Sequence, residues 1–297
     1  MTHVARNPSR RRVLAMLSGA VLATARPALA AGRRVAVLDW ALLETALALD
    51  LVPVAGPELR QFRRIAVEPD LPATIVDLGL RGSPNFELLA SLAPDVIYGS
   101  NFSAWAHDLV APIAPVRTLS IYLPGEPPYP KAEAVMRAMA EDTGIGRHAE
   151  PVIAGFARRI DERRRLLTSR AQRPVFLVSI GDPRHVRVFG DDAMFGDVLT
   201  RLGFTNAWGR QTSYSATAPV EIEALAKVPD AIICIIGPVP PDATRVLPQS
   251  ALWRALPAVR EGRVLTLDPI DPFGGLPAAQ RFARLFAAAL SDRPGGG

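Results

Sequence analysis

Cysteine is nearly missing from this sequence. Cys234 is the single one in 297 residues, so no internal disulfide can form. Its place inside Ala231-Ile232-Ile233-Cys234-Ile235-Ile236 marks it as a small core residue rather than a nucleophile. Histidine is scarce as well. His3, His107, His148 and His185 are scattered, with no His-x-x-His or Cys-x-x-Cys spacing to build a transition-metal site. No Gly-x-Ser-x-Gly elbow, Gly-x-Gly-x-x-Gly turn or phosphate loop is present. Asp182 near His185 reads as an Asp-Pro turn before it reads as a catalytic pair. The apolar runs are short: the one at 13–24 falls below the roughly 20 residues that a permanent membrane span needs.

That run belongs to an address. Ser9-Arg10-Arg11-Arg12-Val13-Leu14 has the twin-arginine form, and Ala28-Leu29-Ala30 offers small residues to a signal peptidase. Residues 1–30 are therefore expected to be an export signal cleaved after Ala30, placing the protein in the periplasm. The segment carries five arginines and no acid, so the formal net charge of +5 falls to about zero once it is removed. The mature surface thus gives no reason to expect nucleic acid as a partner. Twin-arginine export moves folded proteins, often loaded with cofactors, so an exported metalloenzyme is the competing class. The missing metal and nucleophile motifs argue against it.

What is present is organised around residues 148–170. Ile153, Phe156, Ile160 and Leu167 fall on one face at helical steps, with Arg158, Arg159, Glu162, Arg163 and Arg164 filling the rest. This long helix is expected to act as a rigid connector. Its flanks match. Pro84-Asn85-Phe86-Glu87-Leu88-Leu89 leads through Pro94-Asp95 to Val96-Ile97, and Val220-Glu221-Ile222-Glu223-Ala224-Leu225 leads through Pro229-Asp230 to Ala231-Ile232-Ile233. Each is a glutamate opening a short amphipathic helix, a Pro-Asp break and an apolar strand, which is the signature of one fold used twice. The expected architecture is α/β with two Rossmann-like lobes, at 31–147 and 172–297, joined by a connector at 148–171.

Strands are expected at 34–38, 51–54, 174–180 and 263–267, and helices at 41–49, 131–142, 193–202 and 276–290. Strands that alternate with helices make a mostly parallel sheet whose ligands gather at the strands' carboxyl ends. The loops after Leu38, Val76 and Tyr98 are thus the ones to watch. They hold Arg81, in Gly79-Leu80-Arg81-Gly82-Ser83-Pro84, and Asn101, Phe102, Ser103 and Trp105. Residues 186–189 alternate like the far half of a hairpin.

Four blocks in order carry a resemblance over nearly the whole mature chain. They are Asp77-Leu78-Gly79-Leu80-Arg81 with Pro84-Asn85-Phe86-Glu87-Leu88-Leu89; Asp182-Pro183-Arg184-His185 with Val188-Phe189-Gly190; Asn206-Ala207-Trp208; and Leu252-Trp253-Arg254-Ala255-Leu256-Pro257 with Gly262-Arg263-Val264. The chain resembles the class III substrate-binding proteins of ABC importers for ferric siderophores, of the ferric-hydroxamate type. The resemblance implies two lobes that move little on binding, a monomer, and ferric iron carried as a siderophore chelate with no metal ligand or covalent cofactor from the protein. It implies that Arg81 contacts the iron-coordinating oxygens, and that Glu87 and Glu223 dock the lobes onto the membrane permease.

The cleft departs from the family. Where hydroxamate binders line it with tryptophan and tyrosine, this chain has Ile65, Ser103, Ser215 and Asp271, and keeps aromatic character at Tyr214 and Phe273 and through Phe102 or Trp105. Ser213 and Thr217 flank Tyr214 in the same polar loop and count with the cleft. An aromatic anchor is often worth ~2–4 kcal/mol, so the cargo should differ or other groups compensate. Arg187, where the family has an apolar residue, suggests a carboxylate-bearing chelate of citrate or mixed hydroxamate type. The same fold carrying haem, cobalamin or an oxyanion stays open.

Overall fold

The computed structural model describes residues 33–209 and 219–291. Residues 1–30, expected to be an export signal, and Ser213, Tyr214, Ser215 and Thr217 lie outside the described residues. Two five-stranded sheets form the scaffold. In the first, β1 (Val35–Val37), β2 (Ala55–Gly56), β3 (Val76–Asp77), β6 (Val96–Gly99) and β7 (Val116–Thr118) are ordered β3-β2-β1-β6-β7, every pairing parallel. Between β3 and β6 a small antiparallel hairpin, β4 (Gly79–Leu80) and β5 (Ser83–Pro84), stands apart.

In the second sheet, β8 (Val175–Ile180), β9 (His185–Val188), β10 (Val220–Glu221), β11 (Ile232–Ile236) and β12 (Val264–Leu267) are ordered β10-β9-β8-β11-β12. The two orders correspond place by place, and in each sheet the strand after the glutamate-bearing helix pairs with the central strand. One difference separates them: β9 runs antiparallel to β8 and β10, as the hairpin reading at 186–189 requires.

Two expectations need correction. The strand expected at 51–54 lies at Ala55–Gly56. The Leu51 amide is held by the Ala46 carbonyl as part of the preceding helix's exit, and Pro53 has no N–H to give a ladder. Of the matched helices, Phe86–Ser91 is α-helical with Asn85 Oδ1 accepting the Leu88 N–H. Its counterpart Ile222–Lys227 winds as a 3-10 helix. Glu221 stands where the capping Asn85 stands and makes no side-chain cap, which leaves that first turn unanchored.

The connecting helix is Gly146–Leu167, extended by a 3-10 turn at Thr168–Arg170. Ile153, Phe156, Ile160 and Leu167 are buried on its inner face. Pro151 and Gly155 lie within it. One continuous apolar core runs from Val35 and Val37 of the first sheet, through this helix, to Val175 and Leu177 of the second and Phe282 and Phe286 of the C-terminal helix Leu276–Ser291. Polar ties cross as well: the Tyr129 N–H donates to Asp197 (2.9 Å), and Arg281 pairs with Glu68 (2.8 Å). Lobes that share a core can tilt, but wide separation would expose apolar surface at about 25 cal/mol per Å².

Candidate functional site

A cavity of about 280 Å³ opens at the carboxyl ends of β1, β6 and β7. Leu38–Ala41 follow β1, Ser100–Ser103 and Trp105 follow β6, and Leu119, Ile121 and Tyr122 follow β7. Arg81 and Gly82 enter from the β4–β5 hairpin, and Asp271 and Phe273 from the stretch between β12 and the C-terminal helix. Parallel strands end together at one edge of a sheet, so loops far apart in sequence meet there.

Arg81 is held from three sides. Its guanidinium lies 4.1 Å over the Trp40 ring, its Nε donates to Glu58 Oε2 at 2.8 Å, and its backbone N–H donates to Glu58 Oε1 at 3.2 Å. Neither Nη makes a hydrogen bond among the described residues, so both donors remain for a ligand. Trp40 is itself fixed, its Nε1–H donating to the Pro57 carbonyl at 3.0 Å. Glu58 adopts a left-handed backbone, φ 52°, with its N–H on the Gly79 carbonyl at 2.7 Å. That conformation is costly for a non-glycine residue, and it turns the carboxylate onto Arg81.

The β6 loop presents aromatics on a capped 3-10 turn, Asn101–Ala106. Ser103 Oγ accepts the Ser100 N–H at 2.9 Å and Ser100 Oγ accepts the Phe102 N–H at 3.2 Å. Ser103 therefore builds the turn that carries Phe102 and Trp105 into the cavity. Phe102, Tyr122 and Phe273 make a three-ring wall, with centroid separations of 5.3 to 6.0 Å. Tyr122 closes it by donating to the Gly274 carbonyl at 2.7 Å.

The floor is acidic. Asp271 is 2% exposed; its Oδ1 accepts the Phe273 N–H at 3.1 Å, and its Oδ2 has no hydrogen-bond partner among the described residues. Burial lifts its pKa to about 6, opposed by the Phe273 N–H and the Arg81 charge and reinforced by Asp39. Asp39, whose Oδ1 caps the helix Trp40–Ala48 through the Leu42 N–H, is also raised by burial, against the Ser100 hydroxyl and the Leu42 N–H. Behind them, Glu44 is fully buried and raised well above its ordinary value, first by burial and then by the Asp271 charge.

A model of the family described as periplasmic binding protein matches residues 35–270. The chain belongs to the periplasmic binding protein family. This binding protein is 30% identical over 290 residues to the iron(3+)-hydroxamate-binding protein FhuD of Escherichia coli (strain K12), covering 96% of this chain and 97% of that one. The crystal structure of the Fe3+–Desferal-bound siderophore-binding protein FhuD from Vibrio cholerae superposes with a TM-score of 0.81 at 26% identity, over 88% and 98% of the two chains. Bacillus subtilis FeuA, complexed with ferri-bacillibactin, shares the fold with a TM-score of 0.69 at 19% identity, over 87% and 92%.

Within this binding protein the candidate residues separate. Arg81, Phe102, Ser103, Trp105, Asp271 and Phe273 converge on the cavity. Arg187 does not line it: it is exposed on β9, between buried Val186 and Val188. Ile65 packs against the main core instead. Glu87 and Glu223 are both exposed, each in the first turn of its lobe's short helix. Asp182 forms the expected turn, accepting the Arg184 and His185 N–H groups at 2.7 and 2.9 Å; these and the His185 ring hold its carboxyl below the usual range. Asp39, Trp40, Glu58 and Tyr122 are the site residues that the sequence reading missed. For Asp39 and Trp40 a signal existed, since they open the loop after β1. For Glu58 there was none, because its role rests on a backbone conformation that its residue type does not announce.

Proposed function

We propose that this chain is the periplasmic component of an iron importer: it takes up a ferric siderophore of hydroxamate type between its lobes and delivers it to an inner-membrane ABC permease. The observation that carries the reading is Arg81, braced by Glu58 and Trp40 with its outer N–H groups directed to a cavity walled by Phe102, Tyr122 and Phe273. A ferric hydroxamate presents electron-rich oxygens around the metal and apolar chelator arms outside. Arg81 supplies charge-assisted donors to the first, and the rings pack against the second. Iron travels inside its chelator. The FhuD relatives, one named for iron(3+)-hydroxamate and one bound to Fe3+–Desferal, support this cargo class.

Residues 1–30 act in this reading as a twin-arginine export signal, with lobes at 31–147 and 172–297 on a connector at 148–171. Glu87 and Glu223, one exposed carboxylate per lobe, engage basic pockets of the permease. Titration of tryptophan fluorescence with ferric trihydroxamates should give saturable quenching. A folded protein that responds to none of them would refute the cargo. Replacing Glu87 and Glu223 together by alanine should abolish siderophore-dependent iron uptake while the titration stays the same; a weakened titration would count against docking.

A further inference from the structure

Among the described residues the charges that line the cavity do not balance, and the imbalance points to a ligand. The positive charge of Arg81 is already matched by Glu58 at 2.8 Å. Asp271 and Asp39 remain, both more than nine-tenths buried and both lining the cavity, with no second cation on its wall among the described residues. Asp271 Oδ2 has no hydrogen-bond partner among the described residues. An acceptor left open inside a protein is costly unless something supplies the donor.

We propose that Asp271, with Asp39 beside it, forms a subsite for a primary ammonium group carried by the ferric chelate. The inference rests on the siderophore-binding reading above and narrows it to cationic chelates. A neutral amide N–H would satisfy one oxygen and leave the excess negative charge. An ammonium brings three donors and a full charge. Phe273 and Tyr122 line the same cavity as Asp271 and bring to it aromatic rings, which attract cations. An anionic arm placed here would meet two carboxylates.

The groups that face Asp271 are Asp39, Glu44, Tyr122 and Arg81. Glu44 and Tyr122 are both raised well above their ordinary values, each first by burial. Protonation of Asp271, at about pH 6 in the empty protein, therefore weakens the attraction, and the preference for a cation fades below that pH.

The test is a matched pair. Ferric desferrioxamine B, which carries a primary ammonium, and its N-acetylated derivative, which has the same three hydroxamates and no charge, are titrated into the purified protein by tryptophan fluorescence at pH 7.5 and pH 5. We expect the ammonium form to bind about 10- to 100-fold tighter at pH 7.5, the range of one charge-assisted contact. The ratio should fall toward one in Asp271→Asn, and in the wild type at pH 5. Equal affinities at pH 7.5, or a preference that survives both Asp271→Asn and pH 5, would overturn the ammonium subsite while leaving hydroxamate binding intact. If Asp271→Asn fails to fold, the wild-type pH profile decides alone: a constant ratio overturns the proposal. Binding of neither chelate would overturn the hydroxamate reading together with it.

Discussion

Glu44 and Asp271 are neighbouring buried carboxyl groups, and their surroundings give them opposite uses. Glu44 reaches from the helix Trp40–Ala48 to the start of the C-terminal helix, where its Oε2 accepts the Gly275 and Ala278 N–H groups at 2.8 and 3.3 Å. It caps the C-terminal helix Leu276–Ser291. The slot around it is closed: a Cβ on Gly274 would lie 2.4 Å from Ala278 Cβ and 2.6 Å from Glu44 Oε2. Asp271 is as deeply buried but lines the cavity together with Arg81. Burial drives Glu44 well up the pH scale and leaves Asp271 at about 6. Burial of an acid alone therefore marks no site. What sets Asp271 apart is its place on the cavity lining beside Arg81.

The closed side of this comparison breaks most severely. Gly274→Ala puts a methyl where Ala278 and Glu44 already stand, and it should destabilise the protein by about 2–4 kcal/mol in chemical denaturation, by overpacking and by displacing the cap. A loss below about 1 kcal/mol would mean that the Glu44 clasp yields easily. On the open side the sign reverses. The native pKa of Asp271, about 6, exceeds the value of 3.8 for a free aspartate. Its contribution to stability is thus fully present below pH 3.8 and is lost as pH rises through 6. Asp271→Asn does not titrate, so the empty variant should be more stable than wild type at pH 7.5, by an amount on the order of 1–3 kcal/mol. That gain should shrink to nothing by about pH 4. A gain independent of pH would show that packing and not charge is responsible.

What the sequence made legible follows from periodicity and strand direction. The helical repeat of Ile153, Phe156 and Ile160 located the connector, and the matched glutamate segments located equivalent places in two sheets of the same strand order. Strands that share a direction also announced which loops meet, so Arg81, Phe102 and Trp105 could be singled out before any contact was known. The alternation of Val186, Arg187 and Val188 already put Arg187 on the face away from those valines, and it is exposed on β9, outside the lining of the cavity. Glu44, Glu58 and Tyr122 were illegible for a different reason. The Glu44 cap joins residues 231 apart and the Tyr122 hydroxyl bond joins residues 152 apart. No local pattern encodes such pairs. Asp271 was noticed only as a departure from aromatic residues; its burial and its open oxygen needed the fold.

Arg81→Lys sharpens the comparison on the ligand side. Lysine keeps the charge but loses the planar fork and the stacking on Trp40, so affinity for a ferric trihydroxamate should fall about tenfold, roughly 1.4 kcal/mol, as read by fluorescence titration. Unchanged affinity would mean that Arg81 supplies only charge. The smallest effect belongs to the residue that borders both regions. Tyr122 stands in the aromatic wall, and its hydroxyl donates to the Gly274 carbonyl beside the Glu44 slot. Tyr122→Phe removes that bond, with the longer contact to the Pro272 carbonyl at 3.3 Å, and keeps the ring, so stability should drop by about 1 kcal/mol with ligand affinity within a factor of about two. A much larger loss of affinity would show that the hydroxyl positions the Asp271–Phe273 segment for the ligand, and that the clasp and the open floor act as one unit.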